Sequence, residues 1–404
     1  MTTEQAKFSW FIPFLGALSA LGPLSNDLFV PSLPLVAAGL DVGGGPAQLT
    51  LSTLLLGLAF GALIYGPLSD EYGRKPVLAA GLAVYVVAAV MAALAQSLTM
   101  LVLWRFLQGL GASAGSVLSR AIVLDRWRGE QASRALSWMA IVTFLSPVFA
   151  PVIGGQIASL GSWPTIFWVH AAAGAACLAV ALAAVPSTAR DPSTRLLQRI
   201  AAYGAILRDR EAVGYIACMG LGFVGVVPLI TNSSWVFQDY FGLTPFQFGL
   251  CFSLMMLGGS AGAYMNSRIV ARAGISKLIG LGTASMGVAG AAVVVATLLD
   301  AGIAGILIPG VLYMFGVGFT FANALARTMS RFPHAMGAAS AVFGVNQFLI
   351  GGLVAAALSS LREPSPLPLA LMTGAAGGAC AALWWGWLRR KAHRPAAAHR
   401  AATP

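Results

Sequence analysis

Apolar runs of about 20 residues recur along the whole of this 404-residue chain. A run of that length can cross the hydrocarbon layer as a helix, with every backbone group bonded inside the segment. The pattern predicts an all-α membrane protein with twelve transmembrane helices, at 9–34, 47–69, 76–96, 98–121, 133–159, 163–185, 212–238, 246–270, 276–299, 302–327, 335–360 and 366–388. A membrane β-barrel is excluded because its strands would alternate apolar and polar residues, and these segments do not. A soluble fold is excluded because 58% hydrophobic and 9% charged residues leave too little polar surface to meet water.

The basic residues give the orientation. All of the 24 Lys and Arg except Arg105 and Arg362 fall on one side of the predicted spans. That side is expected to be cytoplasmic, which places both termini inside a bacterial inner membrane. The net charge of +11 is therefore read as topogenic, with no nucleic-acid partner. Pro186 to Arg210 is the one long polar connection. It predicts an N-terminal six-helix half (1–185), a central cytoplasmic loop (186–211), a C-terminal six-helix half (212–388) and a cytoplasmic tail (389–404). GPLSDEYG (66–73) falls on SRIVARAG (267–274) at a shift of about 201 residues, as a two-half pseudo-symmetric transporter requires. Cys177, Cys218, Cys251 and Cys380 lie in apolar runs and read as small buried hydrophobes. Pro31 and Pro34 follow the first run where a signal peptide would have a small-residue cleavage site.

The first run, Phe8 to Pro34, holds one acid, Asp27. A carboxylate within a span costs roughly 2.5–3.5 kcal/mol on insertion scales. Such a group faces protein or water and carries function by default. The other Asp and Glu fall at or beyond span ends, so Asp27 reads as a proton-binding group. Arg105 lies inside the fourth span with Gln108 one turn later. A buried arginine needs a partner, and the two depths are compatible with a direct or water-bridged Asp27–Arg105 pair.

Three motifs carry a resemblance to a known family. GPLSDEYGRK (66–75) closes the second span: its glycines permit a tight turn and close helix contact, Asp70 can accept hydrogen bonds at a helix N-terminus, and Arg74 and Lys75 add surface charge. It resembles the G-x-L-x-D-x-x-G-R-K loop of the major facilitator superfamily. The resemblance implies a conformational switch at Gly66, Asp70, Gly73, Arg74 and Lys75. WRFLQGLG (104–111) resembles the family's R-F-x-Q-G signature, which implies a proton-coupling role for Arg105. PVFAPVIGG (147–155), with Pro147, Pro151, Gly154 and Gly155, is similar to the antiporter motif G-P-x-x-G-G. Ala150 stands where that motif has its first glycine. LSNDLFVPSLP (24–34), QLTLSTLLLGLAFGALIYGPLSD (48–70), MNSRIVARAG (265–274) and ANALARTMSRFPHAMGAAS (322–340) look like the Bcr/CflA subfamily of proton-coupled drug exporters. Some multidrug relatives carry a second acid two turns before the first, where this chain has Ser19.

The resemblance implies a drug:proton antiporter with two six-helix halves, driven by the proton gradient without a cofactor or metal. Its partners would be a small-molecule substrate, protons and membrane lipid, and it is expected to act as a monomer. Candidate substrate contacts are Asn26, Gln108, Asn232, Trp235, Tyr313, Asn323, Phe343, Asn346 and Gln347, each weighed against ordinary helix packing. Trp384, Trp385 and Trp387 read as an interfacial anchor beside Arg389 and Arg390. A transporter of an endogenous amino acid or peptide is the alternative. An enzyme or sensor lacks any zinc spacing, catalytic triad or soluble domain.

Overall fold

The computed structural model describes residues 3–127, 129–160, 162–186, 203–332, 335–359 and 365–392. Most of the expected central loop and tail therefore lies outside the described residues, as do Arg128, Arg190, Arg195, Arg199, Arg362, Arg394 and Arg400. Every regular element among the described residues is helical. The long helices are α1 Thr3–Asp27, α2 Gly44–Tyr72, α3 Arg74–Ala93, α4 Leu98–Arg126, α5 Gly129–Ser159 and α6 Pro164–Ala184. They continue as α7 Arg210–Thr231, α8 Pro245–Ala273, α9 Ile275–Leu298, α10 Gly302–Ser330, α11 Met336–Leu358 and α12 Pro366–Leu383. Eleven of these, α2 to α12, contain stretches long and apolar enough to cross a membrane. The polar-ended α1 is not among them, yet it packs in the same bundle against α4 and α5.

Packing repeats with a period of six helices. In the first half α4 packs on α1, α2 and α3, while α3 packs on α6 and α1 on α5. In the second half α10 packs on α7, α8 and α9, while α9 packs on α12 and α7 on α11. The halves meet through α2 against α11 and α5 against α8, a pairing that maps onto itself when the halves exchange. The loop repeat has a backbone cause. Gly73 and Gly274 end α2 and α8 at φ 93° and 80°, a region that a side chain rarely enters, and each turns the chain into the next helix.

Two sequence expectations need correction, at the first span and at the C-terminal tryptophans. The first span was expected to run to 34, but α1 stops at Asp27, followed by a 3-10 turn Val30–Ser32 and a short helix Leu33–Gly39. Pro31 and Pro34 lack the N–H groups that a continuing helix needs. The seventh span, expected at 212–238, is matched by one apolar helical stretch Arg210–Tyr240, in which α7 is followed by a short helix Ser233–Trp235 and a wider-wound helical turn Val236–Tyr240. The three tryptophans do not form one interfacial anchor: Trp384 is fully buried against Gly280, while Trp385 is exposed beneath the guanidinium of Arg389. The four cysteines are free, and Cys218 and Cys380 touch in the core at 3.5 Å between α7 and α12.

Arginines clip each half at its basic end. Arg126 at the end of α4 lies over the rings of Phe11 and Trp127. Arg331, just past α10, donates to both carboxylate oxygens of Asp209 at 2.9 and 2.7 Å and to Glu211 at 2.7 Å, tying it to the start of α7. Burial pushes the Asp209 carboxyl up, but the Arg331 bonds and the Ala212 N–H outweigh it and hold it below its ordinary value.

Two outcomes follow. Gly73→Ala and Gly274→Ala should each add strain of about 1–3 kcal/mol and lower the unfolding temperature of the detergent-solubilised protein. Gly344→Ala, where an added Cβ meets open space, serves as the control and should not. Because the Asp209 carboxyl is depressed in the fold, its tie stabilises above the ordinary carboxylate range and is lost as pH falls through the depressed value. Arg331→Gln should therefore unfold at a lower temperature than wild type at pH 7, and the gap should narrow in thermal scans as the pH falls below the ordinary carboxylate range.

Candidate functional site

Arg105 is fully buried on α4; its Nε and Nη1 donate to backbone and amide oxygens, while its Nη2 has no hydrogen-bond partner. Nε donates to the Thr50 carbonyl of α2 at 3.2 Å, and Nη1 donates to the Ser25 carbonyl of α1 at 3.1 Å and to Gln108 Oε1 at 2.9 Å. The guanidinium carbon lies 4.5 Å from the centre of the Phe29 ring and 5.6 Å from that of Phe167. The Ser25 carbonyl is free to accept because α1 is ending: the Phe29 N–H, its usual partner, turns to Asn26 O instead.

A polar chain continues through this half. Arg105 can only donate, so Gln108 turns its oxygen to Arg105 and its Nε2 to His170 Nδ1 on α6, at 3.3 Å. The ring nitrogen Nδ1 is thus the acceptor. Ser25 Oγ donates to the Leu21 carbonyl and therefore accepts from Tyr85 on α3, at 2.7 Å. Tyr85, His170 and Gln108 are all fully buried. Sequence reading missed Ser25, Tyr85 and His170 as members of this site. Tyr85 and His170 are each a single polar residue in an apolar run without a motif around it, whereas Ser25 lies within LSNDLFVPSLP (24–34) beside the more conspicuous Asn26 and Asp27.

Asp27 is the last residue of α1 and is 5% exposed. Its Oδ1 accepts from Asn26 Nδ2 at 3.0 Å. No Lys or Arg among the described residues reaches it within ion-pair distance. The structure therefore brings Asp27 and Arg105 into one region without the direct ion pair considered from their depths. The guanidinium takes the carbonyl that the end of α1 releases, two residues short of the acid.

The switch loop is built differently from its expected form. Asp70 lies in the last turn of α2, not at a helix N-terminus, and pairs with Arg74 at the start of α3. Arg74 also donates to Ser69 Oγ at 2.6 Å and to Asp125 Oδ2 at 2.8 Å, joining α2, α3 and α4 at the basic end. Gly66 faces open space, so the close contact expected there is absent, and Lys75 is half-buried beside the turn. Pro147 and Pro151 lie within a continuous α5. A Cβ on Gly154 would stand 2.0 Å from the Leu28 carbonyl, and one on Gly155 would stand 2.5 Å from the Pro245 carbonyl. This stretch thus packs on the turn after Asp27 and on α8 of the other half.

The candidate substrate residues divide into two groups. Asn26, Asn232 and Trp235 are buried near the meeting of the halves, and the two amide oxygens and the indole N–H have no hydrogen-bond partner. The others are engaged elsewhere or lack a resolved contact. Tyr313 donates to the Gly222 carbonyl, Asn323 to Asn266 and Phe319, and Asn346 to Ile216, all within the second half. Phe343 packs edge-on against Phe321, Gln108 serves Arg105, and Gln347 is half-buried.

Contacts joining the halves lie at the end away from the basic residues. Ser234 Oγ donates to the Val30 carbonyl at 2.9 Å, and Gln238 Nε2 donates to the Pro31 carbonyl at 3.0 Å. Trp235 lies against Gly44, and Gly352 against the Ser52 carbonyl.

Comparison with known proteins gives a consistent result. The family model of the Major Facilitator Superfamily matches residues 15–356. The chain is 32% identical to the uncharacterized MFS-type transporter YdgK of Bacillus subtilis, over 88% of this chain and 89% of that one. It is 30% identical to a bicyclomycin resistance protein homolog of Haemophilus influenzae, over 93% and 95%. It is 25% identical to multidrug resistance protein D of Escherichia coli, over 93% and 95%. Among solved structures, a D-xylose-proton symporter superposes with TM-score 0.75 at 17% identity, covering 94% of this chain and 98% of that one, a likeness of fold.

The unpaired geometry makes a clear expectation. Arg105→Lys should destabilise the protein by at least about 2 kcal/mol, because an ammonium cannot reproduce the fork onto Ser25, Thr50 and Gln108. Asp27→Asn, which breaks no ion pair, should unfold close to wild type in the same thermal assay. Equal losses would mean that the two side chains are bonded after all.

Proposed function

The chain belongs to the Major Facilitator Superfamily, in its Bcr/CflA group, and from that premise we propose that this membrane transporter exports drugs or other small amphipathic compounds in exchange for protons. It is not an enzyme. Names of full-length relatives as bicyclomycin and multidrug resistance proteins support the export reading. The observation that carries the proton reading is Asp27: a buried carboxylate, without a cation, at the end of α1 where the halves touch. Asp27 is the proton-binding residue in this scheme, and Arg105 holds the end of α1 in place.

The mechanism is alternating access. The positive-inside rule puts the basic end and both termini in the cytoplasm of a bacterial inner membrane. Contacts at the opposite end then make this the conformation closed to the periplasm. A proton entering from the periplasm removes the charge on Asp27, and substrate from the cytoplasm favours the deprotonated form. The difference in charge supplies the differential free energy that biases one conformation over the other. The amide oxygens of Asn26 and Asn232 and the Trp235 indole offer acceptors and a donor to a substrate in a mostly apolar site. The proton gradient is the energy source, and no cofactor is needed.

Asp27→Asn should abolish transport driven by a pH gradient in inverted vesicles while the protein folds and inserts normally. Retained gradient-driven transport in that variant would remove Asp27 from the mechanism.

A further inference from the structure

The turn after Asp27 is gripped from both halves. Leu28 to Ser32 are buried, and Ser32 Oγ closes the turn on the Phe29 carbonyl at 2.7 Å. On the first-half side, Arg105 lies over Phe29, and Gly154 lets α5 come against the Leu28 carbonyl. On the other side, Ser234 takes the Val30 carbonyl and Gln238 takes the Pro31 carbonyl. Gln238 Nε2 also donates to Ser234 Oγ at 2.8 Å, so the two side chains act together. Both are buried, and both follow α7 in the segment where the helix gives way.

We infer that Ser234 and Gln238 are positioning residues that latch the far end shut by holding the turn directly after Asp27. Breaking the latch frees α7 from α1 at that end, and a change at Asp27 reaches the latch through three residues of buried turn. The inference rests on the alternating-access reading above. It adds the residues of the second half that receive the signal. The Trp235 ring against Gly44 at the start of α2 supports the same closure.

The test uses spin labels at Gln96→Cys and Leu299→Cys, far-end loop positions in opposite halves, in a full-length background without the four native cysteines. Pulsed dipolar spectroscopy should resolve a short and a long far-end distance in the parent. Ser234→Ala with Gln238→Met should raise the ratio of long to short by roughly tenfold, from two lost net hydrogen bonds. Ser234→Thr, which keeps the hydroxyl, should restore the parent ratio. A merely structural role would lower thermal stability and leave the ratio alone, and that result overturns the latch. A single distance in every variant overturns alternating access itself. As a measurement independent of those variants, Val30→Cys with Ser234→Cys should crosslink under a mild oxidant and stop transport until reduced. Transport that continues in the crosslinked protein overturns the latch.

Discussion

Arg105 donates to the carbonyls of Ser25 and Thr50 and to Gln108, and the geometry around Asp27 follows from those three bonds. A buried guanidinium is tolerated only where its donors are taken up. Here backbone and amide oxygens do this for Nε and Nη1, two aromatic rings lie against the guanidinium, Nη2 is left without a partner, and no carboxylate among the described residues is used. The first half can therefore keep its cation whatever the state of Asp27. Had the two paired, protonating the acid would have stranded a buried charge, which is strongly destabilising. Separation of the two roles leaves the acid free to change charge without dismantling the joint between α1, α2 and α4.

The ends of helices matter more than their middles in this site. Asp27 closes α1, where the helix dipole presents its negative end and free carbonyls. Asn232 stands just past the end of α7, and the Asp70–Arg74–Asp125 cluster joins the ends of α2 and α4 to the start of α3. Rigid spans supply spacing, while their broken ends supply unsatisfied backbone groups that side chains can take or release. Backbone that departs from helix within a membrane bundle is tolerated where protein covers it. The fully buried turn Val30–Ser32 meets that condition.

Much of this fold could be read from the residues because lipid leaves few alternatives. Apolar runs gave the helices, and the loop repeat ending at Gly73 and Gly274 is matched by equivalent positive-φ turns. Depth along a helix was legible for Asp27 and Arg105, since it follows from counting residues. Azimuth and helix ends were not. The direct Asp27–Arg105 ion pair does not form because Pro31 and Pro34 end the helix early and release a competing acceptor. Trp384 was misread because its neighbour Gly280 is about a hundred residues away in sequence, and only packing shows that glycine making room for an indole. Ser234 and Gln238 went unnoticed because their partners are carbonyls, which have no sequence signature.

The internal repeat sharpens the role of the turn. α1 and α7 occupy equivalent places in the two halves, and each ends at or next to a polar side chain, Asp27 in one half and Asn232 in the other. Arg126 and Arg331 lie at the ends of the equivalent helices α4 and α10 and clip their respective halves. The bonds from Ser234 and Gln238 to Val30 and Pro31 join the two segments that follow these equivalent helices, α7 and α1. A contact between equivalent elements lies across the pseudo-two-fold axis. Rocking the halves apart at that end must break it, whereas contacts within a half can survive the motion. The chemistry, unlike the fold, is one-sided. Only the first half places an acid at this position, so Asp27 meets no like charge from the end of α7, where Asn232 stands.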